Sequence, residues 1–131
     1  MIIDSSALVA ILRAEAEHTR FIDVIARAGG ARLSAASYLE TAIVIDRARD
    51  PVVSRALDSF LSASGIEVAA VTPVQARIAR EAYRDFGKGS GHPAQLNFGD
   101  CLTYALAKET DKPILFKGDD FSHTDLISAA A

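Results

Sequence analysis

Cysteine is almost missing from this chain of 131 residues: Cys101 stands alone, so no internal disulfide can form. A chain without disulfides suits a reducing compartment. Long hydrophobic runs are also missing, which leaves no candidate for a membrane-spanning helix. The opening Met1-Ile2-Ile3-Asp4 has neither the basic stretch nor the apolar core of a secretory signal. The expected location is therefore the cytoplasm, with no membrane partner. Positive charge is not in excess either, with 14 Lys and Arg against 17 Asp and Glu, for a net charge of −3. Such a chain has no overall electrostatic pull toward nucleic acid, and any nucleic-acid chemistry would need a local basic surface or bound cations. His18, His92 and His123 show no metal-ligand spacing and read as surface residues. No repeat, low-complexity tract or linker interrupts the chain.

What is present is an ordinary globular composition, half apolar and about a quarter charged. The length suits one domain spanning residues 1–131, large enough to bury a core without disulfides or structural metal. Short β-rich runs alternate with helical patterns. Ile2–Asp4, Arg32–Ser34, Glu67–Val71 and Ile114–Phe116 read as strands, and the tail from Asp125 as a possible edge strand. Ser6–Arg13, Thr19–Ala28, Ser37–Arg47, Pro51–Ser64, Pro73–Phe86 and Phe98–Thr110 read as helices. Gly29 and Gly30 suit a helix C-terminus, Pro73 suits a first helical turn, and the polar, glycine-rich stretch 87–97 reads as a loop. Alternating strands and helices predict an α/β fold, a central and mainly parallel sheet of four or five strands with helices on both faces. Sites in such folds form at the carboxyl ends of the strands.

Four acids fall at that end. Asp4 closes the first strand, Glu40 lies early in the helix after the second, Asp100 opens the helix after the glycine-rich loop, and Asp119 follows the fourth strand. Carboxylates with no imidazole or thiol partner form an oxygen-only donor set, which Mg²⁺ or Mn²⁺ prefers. Two carboxylates ~4 Å apart repel by roughly 4 kcal/mol at an effective dielectric near 20, so protons or cations must fill such a cluster. A divalent cation would activate water and steady charge on a phosphoryl group. It would also turn an acidic pocket into an attractor for phosphate. Each acid has a plainer reading. Asp4 can cap the helix that follows it, Ser37 with Glu40 and Asn97 with Asp100 have capping-box spacing, and Asp119 with Asp120 can be a solvated turn. Capping does not, however, require all four to fall at the same end of the sheet.

These segments resemble those of PIN domains, specifically VapC-type toxins. Ile2-Ile3-Asp4-Ser5-Ser6-Ala7-Leu8 is similar to the first motif and Ser37-Tyr38-Leu39-Glu40 to the second acidic motif. Asn97-Phe98-Gly99-Asp100-Cys101 is similar to the third, which continues through Tyr104-Ala105-Leu106-Ala107. Leu115-Phe116-Lys117-Gly118-Asp119-Asp120-Phe121 is similar to the closing segment of one VapC subgroup. The resemblance covers essentially the whole chain. It implies a PIN-like three-layer α/β/α sandwich and Mg²⁺- or Mn²⁺-dependent endoribonuclease activity, as the toxin of a toxin–antitoxin pair. It further implies a VapB-type antitoxin partner, an RNA substrate, homodimers, and toxin–antitoxin hetero-oligomers that reach operator DNA only through the antitoxin. By the same resemblance Asp4, Glu40 and Asp100 are metal ligands and catalytic groups, with Asp119 the fourth acid and Asp120 its competitor. The other reading within this fold is a non-catalytic module that binds RNA or a partner.

Ser6 matches a small hydroxyl residue expected beside the first aspartate, where it would orient a carboxylate or bound water. Arg77, Arg80, Arg84 and Lys88 recur every three or four residues, opposite Val74, Ile78, Ala82 and Phe86. This stripe is either a solvated face or the local basic surface that RNA needs. On the second reading Arg84 and Lys88 join Ser6 on the substrate side, Lys88 because its glycine-rich neighbourhood lets backbone approach a phosphate. Gly87-Lys88-Gly89 is not a P-loop, since it follows a helix and lacks the spacing. Cys101 reads as a small apolar packing residue more than as a nucleophile, and Tyr38 and Tyr104, near motif acids, either reach the site or, on the plainer reading, pack in the core. An aspartyl-nucleophile phosphatase would want an aspartate where Ser6 stands. A receiver-type domain would want one where the third strand ends in Val71-Thr72. Both fail on residues.

Overall fold

The computed structural model describes residues 1–130. Four short strands, β1 (Ile2–Ile3), β2 (Ala31–Ser34), β3 (Ile66–Ala69) and β4 (Ile114–Leu115), form one sheet in the order β3-β2-β1-β4, with every pairing parallel. Parallel neighbours need crossover connections, and six helices supply them: α1 (Ser5–Leu12), α2 (His18–Arg27), α3 (Ala35–Asp46), α4 (Pro51–Ala63), α5 (Pro73–Phe86) and α6 (Phe98–Thr110). Register aligns Ile2 with Arg32 and Ile114, and Ile3 with Leu33 and Leu115.

β1 and β4 are apolar and buried on both sides because both sides are covered, whereas β2 and β3 expose Arg32 and Glu67, which pair at 3.7 Å. Ile3, Leu33, Ile66 and Leu115 point into a core with Leu8 and Ile11 of α1, Phe21 and Ile25 of α2, and Leu57 and Leu61 of α4. Ile2 and Ala69 point the other way, against Leu106 and Ala107 of α6. Ile114 joins Ala79 and Ala82 of α5 and Cys101, Leu102 and Ala105 of α6. Cys101 is therefore a packing residue of this second core. The result is a three-layer α/β/α sandwich with helices on both faces of the sheet. α6 is the most enclosed helix, buried without a break from Gly99 to Ala107.

Three details depart from the sequence reading. The tail supplies no full strand, only one parallel bridge of Ser128 to Ile114, so the sheet has four strands with a stub at the β4 edge. α3 begins earlier than Ser37, because the Ser34 side chain caps it and Ser37 lies inside the helix. On α5 the buried positions are Gln75, Ala79 and Ala82, whereas Val74 is about half exposed. No helix among the described residues is long and apolar enough to cross a membrane.

Candidate active site

β1 is a central strand, and Asp4 is the first residue beyond its carboxyl end. Its backbone N–H donates to the Leu115 carbonyl at 2.9 Å, which ties it to β4. With ψ at 155° it then caps α1, accepting from the Ser6 N–H at 3.0 Å. The side chain is only 2% exposed and both oxygens are engaged. Oδ2 also accepts from the Ser6 hydroxyl at 2.6 Å, and Oδ1 accepts from the Thr103 hydroxyl at 2.8 Å. Thr103 Oγ1 also lies 2.9 Å from Ser37 Oγ. Because the single Thr103 proton goes to Asp4, Ser37 must be the donor in that second bond. A one-way chain of hydroxyls, Ser37 to Thr103 to Asp4, thus runs through the fully buried layer between α3 and α6.

Replacing Thr103 by Val keeps the shape and removes the hydroxyl, leaving one Asp4 oxygen without its donor in a buried setting. We expect a loss of about 1–3 kcal/mol in unfolding free energy, measured by denaturant titration, with most of it recovered by Thr103→Ser.

Asp100 stands in the first turn of α6, where it forms a reciprocal capping box with Asn97. Its N–H donates to Asn97 Oδ1 at 2.8 Å, and the Asn97 N–H donates to Asp100 Oδ2 at 3.0 Å. Burial pushes the Asp100 carboxyl up to about 7. The Asn97 N–H pulls against that, and the charges of Asp4, Asp120 and Glu40 reinforce it. Glu40 reaches the site from α3, where its Oε1 accepts from the Ser5 hydroxyl at 2.5 Å. Its neighbour across the gap is Gly99. A Cβ built there would fall on the Glu40 carboxylate, so the bare backbone of α6 makes the room in which Glu40 lies.

Asp119, expected as the fourth acid with Asp120 as its competitor, is placed differently from the other three. Asp120 lines the cavity, whereas Asp119 lies outside its lining as the exposed residue before the 3₁₀ turn Asp120–His123. Gly118, at φ 97°, makes the turn after β4 that sets this order, and periodicity could not resolve which of two adjacent aspartates faces inward.

Together Asp4, Glu40, Asp100 and Asp120 line one cavity of about 510 Å³, with Ser5, Ser6 and Asn97 between them and the cations Arg13 and Lys117 also on its wall. The plain readings are partly true as well. Asp4 and Asp100 do cap helices, and a carboxylate has enough lone pairs to cap and still face a cavity. The Ser37–Glu40 capping box does not form, which leaves Glu40 free to turn toward Ser5.

Among the described residues, no three acid, imidazole or thiol groups are grouped closely enough to grip an ion as they stand. The oxygens of Asp4, Glu40 and Asp100 are turned instead to hydroxyls and N–H groups. The donor chemistry nonetheless fits a hard divalent cation, being all oxygen, drawn from four segments, and built around a buried acid whose charge three neighbours oppose. Of the four acids, Asp4 and Asp100 are buried, Glu40 is half-buried and Asp120 is exposed.

The basic stripe does not converge here. Arg84 is exposed and paired with its neighbour Asp85 at 3.0 Å. Lys88 donates its backbone N–H to the Leu96 carbonyl at 3.0 Å as the 87–97 loop folds back on α5. That carries Lys88 to a separate groove of about 660 Å³ between α5 and α6, lined by Val71, Tyr83, Phe98 and Leu102, which touches the acidic cavity only through Asn97. Ser6 is also spoken for, with its hydroxyl proton on Asp4 and its oxygen accepting the Lys117 N–H at 3.0 Å, so it orients the carboxylate. The Tyr38 and Tyr104 hydroxyls turn to Asp58 and Asp125, away from the site. Sequence reasoning passed over Ser5, Thr103, Arg13 and Lys117. Thr103 left a trace, a small hydroxyl residue one helical turn beyond Asp100 in a mostly apolar run.

A parallel α/β sandwich with an acidic pocket at the carboxyl ends of its central strands is the architecture of the PIN domain. The chain belongs to that family, whose profile, described as PIN domain, matches residues 1–126. Within it the chain is of the VapC type. It is 58% identical over 124 residues to VapC ribonuclease Mb0625 of Mycobacterium bovis and to ribonuclease VapC28 of Mycobacterium tuberculosis, covering 95% of this chain and 93% of either relative. It is 46% identical over 130 residues to ribonuclease VapC30 of M. tuberculosis, covering 99% and 98%. The fold is also that of M. tuberculosis VapC20, a toxin described as cleaving the sarcin–ricin loop. That crystal structure matches with a TM-score of 0.77 at 18% identity, covering 96% of this chain and 95% of the other.

Proposed function

We propose that the chain is an endoribonuclease toxin that hydrolyses RNA phosphodiester bonds with Mg²⁺ or Mn²⁺ held by Asp4, Glu40, Asp100 and Asp120, and that a VapB-type antitoxin restrains it. The observation that carries this reading is the convergence of four carboxylates, from four separate segments, on one cavity. The names of its relatives, ribonucleases of the VapC type, support the substrate class. A bound cation would supply an activated water and a countercharge for the phosphoryl group.

The protein's own groups have distinct parts. Asp4 is held rigidly by Ser6 and Thr103, so it sets the position of the site. Asp100 is the acid most in need of a countercharge, and cation binding would draw off the proton it holds near neutral pH. Arg13 lines the cavity, and none of the ion pairs among the described residues includes it. It is therefore available to meet a phosphate, which answers the unfavourable net charge locally. Assembly into homodimers and larger toxin–antitoxin complexes, which would reach operator DNA through the antitoxin, completes the proposal.

The test is cleavage of RNA with Mg²⁺ or Mn²⁺, with and without a chelator, by wild type, Asp4→Asn and Asp120→Asn. We expect the chelator and Asp4→Asn to abolish cleavage and Asp120→Asn to reduce it, with Asp119→Asn close to wild type. A folded wild-type protein that binds RNA but never cuts it would instead favour a non-catalytic binding module.

A further inference from the structure

Among the described residues, Lys117 is the one cation that touches the site's hydrogen-bond network as well as its cavity. Its backbone N–H donates to Ser6 Oγ at 3.0 Å, and the Ser6 hydroxyl donates to Asp4 at 2.6 Å. Its ammonium is nevertheless drawn aside. It lies 2.5 Å from Glu15 and 3.2 Å from Glu17, both in the segment joining α1 to α2. Glu15 lines the acidic cavity and Glu17 an adjoining cavity of about 550 Å³, and Lys117 stands in the wall common to both. The pair cannot count for much in stability, since all three side chains are 31–40% exposed and such ion pairs contribute about 0–1 kcal/mol. Two carboxylates on one lysine, beside a cavity that already holds four acids, leave a local excess of negative charge that no other ion pair among the described residues relieves. An entering phosphate carries the charge that Lys117 would meet in exchange.

We propose that Lys117 is a phosphate-binding residue for RNA, kept in reserve by Glu15 and Glu17 and released to the substrate as it enters the acidic cavity. The inference rests on the ribonuclease reading above and deepens it, since it names a substrate contact that neither Arg84 nor Lys88 is placed to make. Its chemistry is exchange of one anionic partner for another, with no proton or bond transferred.

The experiment measures binding of an end-labelled, mixed-sequence single-stranded RNA by fluorescence anisotropy across a salt series, with Ca²⁺ replacing Mg²⁺ so that turnover is suppressed. Lys117→Gln is expected to weaken binding roughly fivefold to tenfold, and to lower the slope of log affinity against log salt by about 0.7, the share of one phosphate contact on a single strand. Lys117→Arg keeps the charge and should keep the slope. Glu15→Gln should tighten binding about twofold to threefold in the wild type and not in a Lys117→Gln background, because its effect runs through the lysine. A merely structural ion pair predicts something else: both variants lose the same contact and shift affinity in the same direction. That result, or an unchanged salt slope in Lys117→Gln, overturns the proposal, and a Glu15→Gln gain that persists without Lys117 overturns the reserve. Wild-type cleavage in Mn²⁺ is the control. Its failure would count against the nuclease reading, whereas normal cleavage with an unaltered Lys117→Gln slope would sink this inference alone.

Discussion

Asp100→Asn is expected to make the metal-free protein more stable at pH 8 while abolishing its cleavage of RNA. Both effects come from one buried carboxyl. The Asp100 carboxyl is raised to about 7 in the folded protein, first by burial, whereas an unfolded chain releases that proton near its ordinary value of 3.8. Between those values the folded state holds a proton that the unfolded state has lost, so this group adds to stability as pH falls from 8 toward 5. Above pH 7 the fold must carry the buried charge, and the contribution is gone. Carrying that charge costs at most about 4 kcal/mol for a carboxyl raised from 3.8 to about 7, and relaxation around the charge brings that to roughly 2 kcal/mol.

In a chelator-treated sample, Asn at this position should therefore raise the melting temperature by about 5–8 °C at pH 8 and by little at pH 5. Wild type should gain stability from millimolar Mg²⁺ at pH 8, and Asp100→Asn should gain much less, since cations bind the folded site preferentially. Cleavage should fall at least a hundredfold, because a ligand that steadies the reacting phosphoryl group supplies several kcal/mol. Equal melting temperatures at pH 8, or an equal response to Mg²⁺, would move the cation's site away from Asp100.

Gly99→Ala should separate the site from the fold even more cleanly. Gly99 sits in the first turn of α6 without a left-handed backbone angle, so nothing in its conformation requires glycine. Alanine favours a helix over glycine by up to about 1 kcal/mol. What the substitution meets is the far end of a flexible side chain, the Glu40 carboxylate, which can swing away at little cost to packing. The displaced carboxylate is the one the site needs. We expect a melting temperature at or slightly above wild type, with cleavage reduced at least tenfold, as a misplacement of about 1 Å can cost a hundredfold. Unfolding on this substitution, or full activity, would show that Glu40 does not depend on the gap. Glu40→Gln, which keeps the shape and removes the charge, should lose activity whatever the fate of Gly99→Ala.

Local order along the chain settled a great deal before any tertiary contact. Apolar strands alternating with helical spacing leave little choice but a parallel sheet covered on both sides; by position alone Asp4 and Glu40 follow strands, and Asp100 opens the helix before the last one. What periodicity cannot carry is direction. Whether Asp119 or Asp120 turns inward depends on how Gly118 bends the chain after β4. Whether Lys88 reaches the strand ends depends on how the 87–97 loop folds back through Gly87 and Leu96. The pairing of Thr103 with Asp4 spans 99 residues, and that of Lys117 with Glu15 spans 102. No local pattern encodes such pairs, because they exist only once α6 and β4 have packed against β1. The sequence by itself determined which residues are acids and at which end of the sheet they would gather. Tertiary packing alone decided which of them meet, which hydroxyls hold them, and which lysine waits beside them.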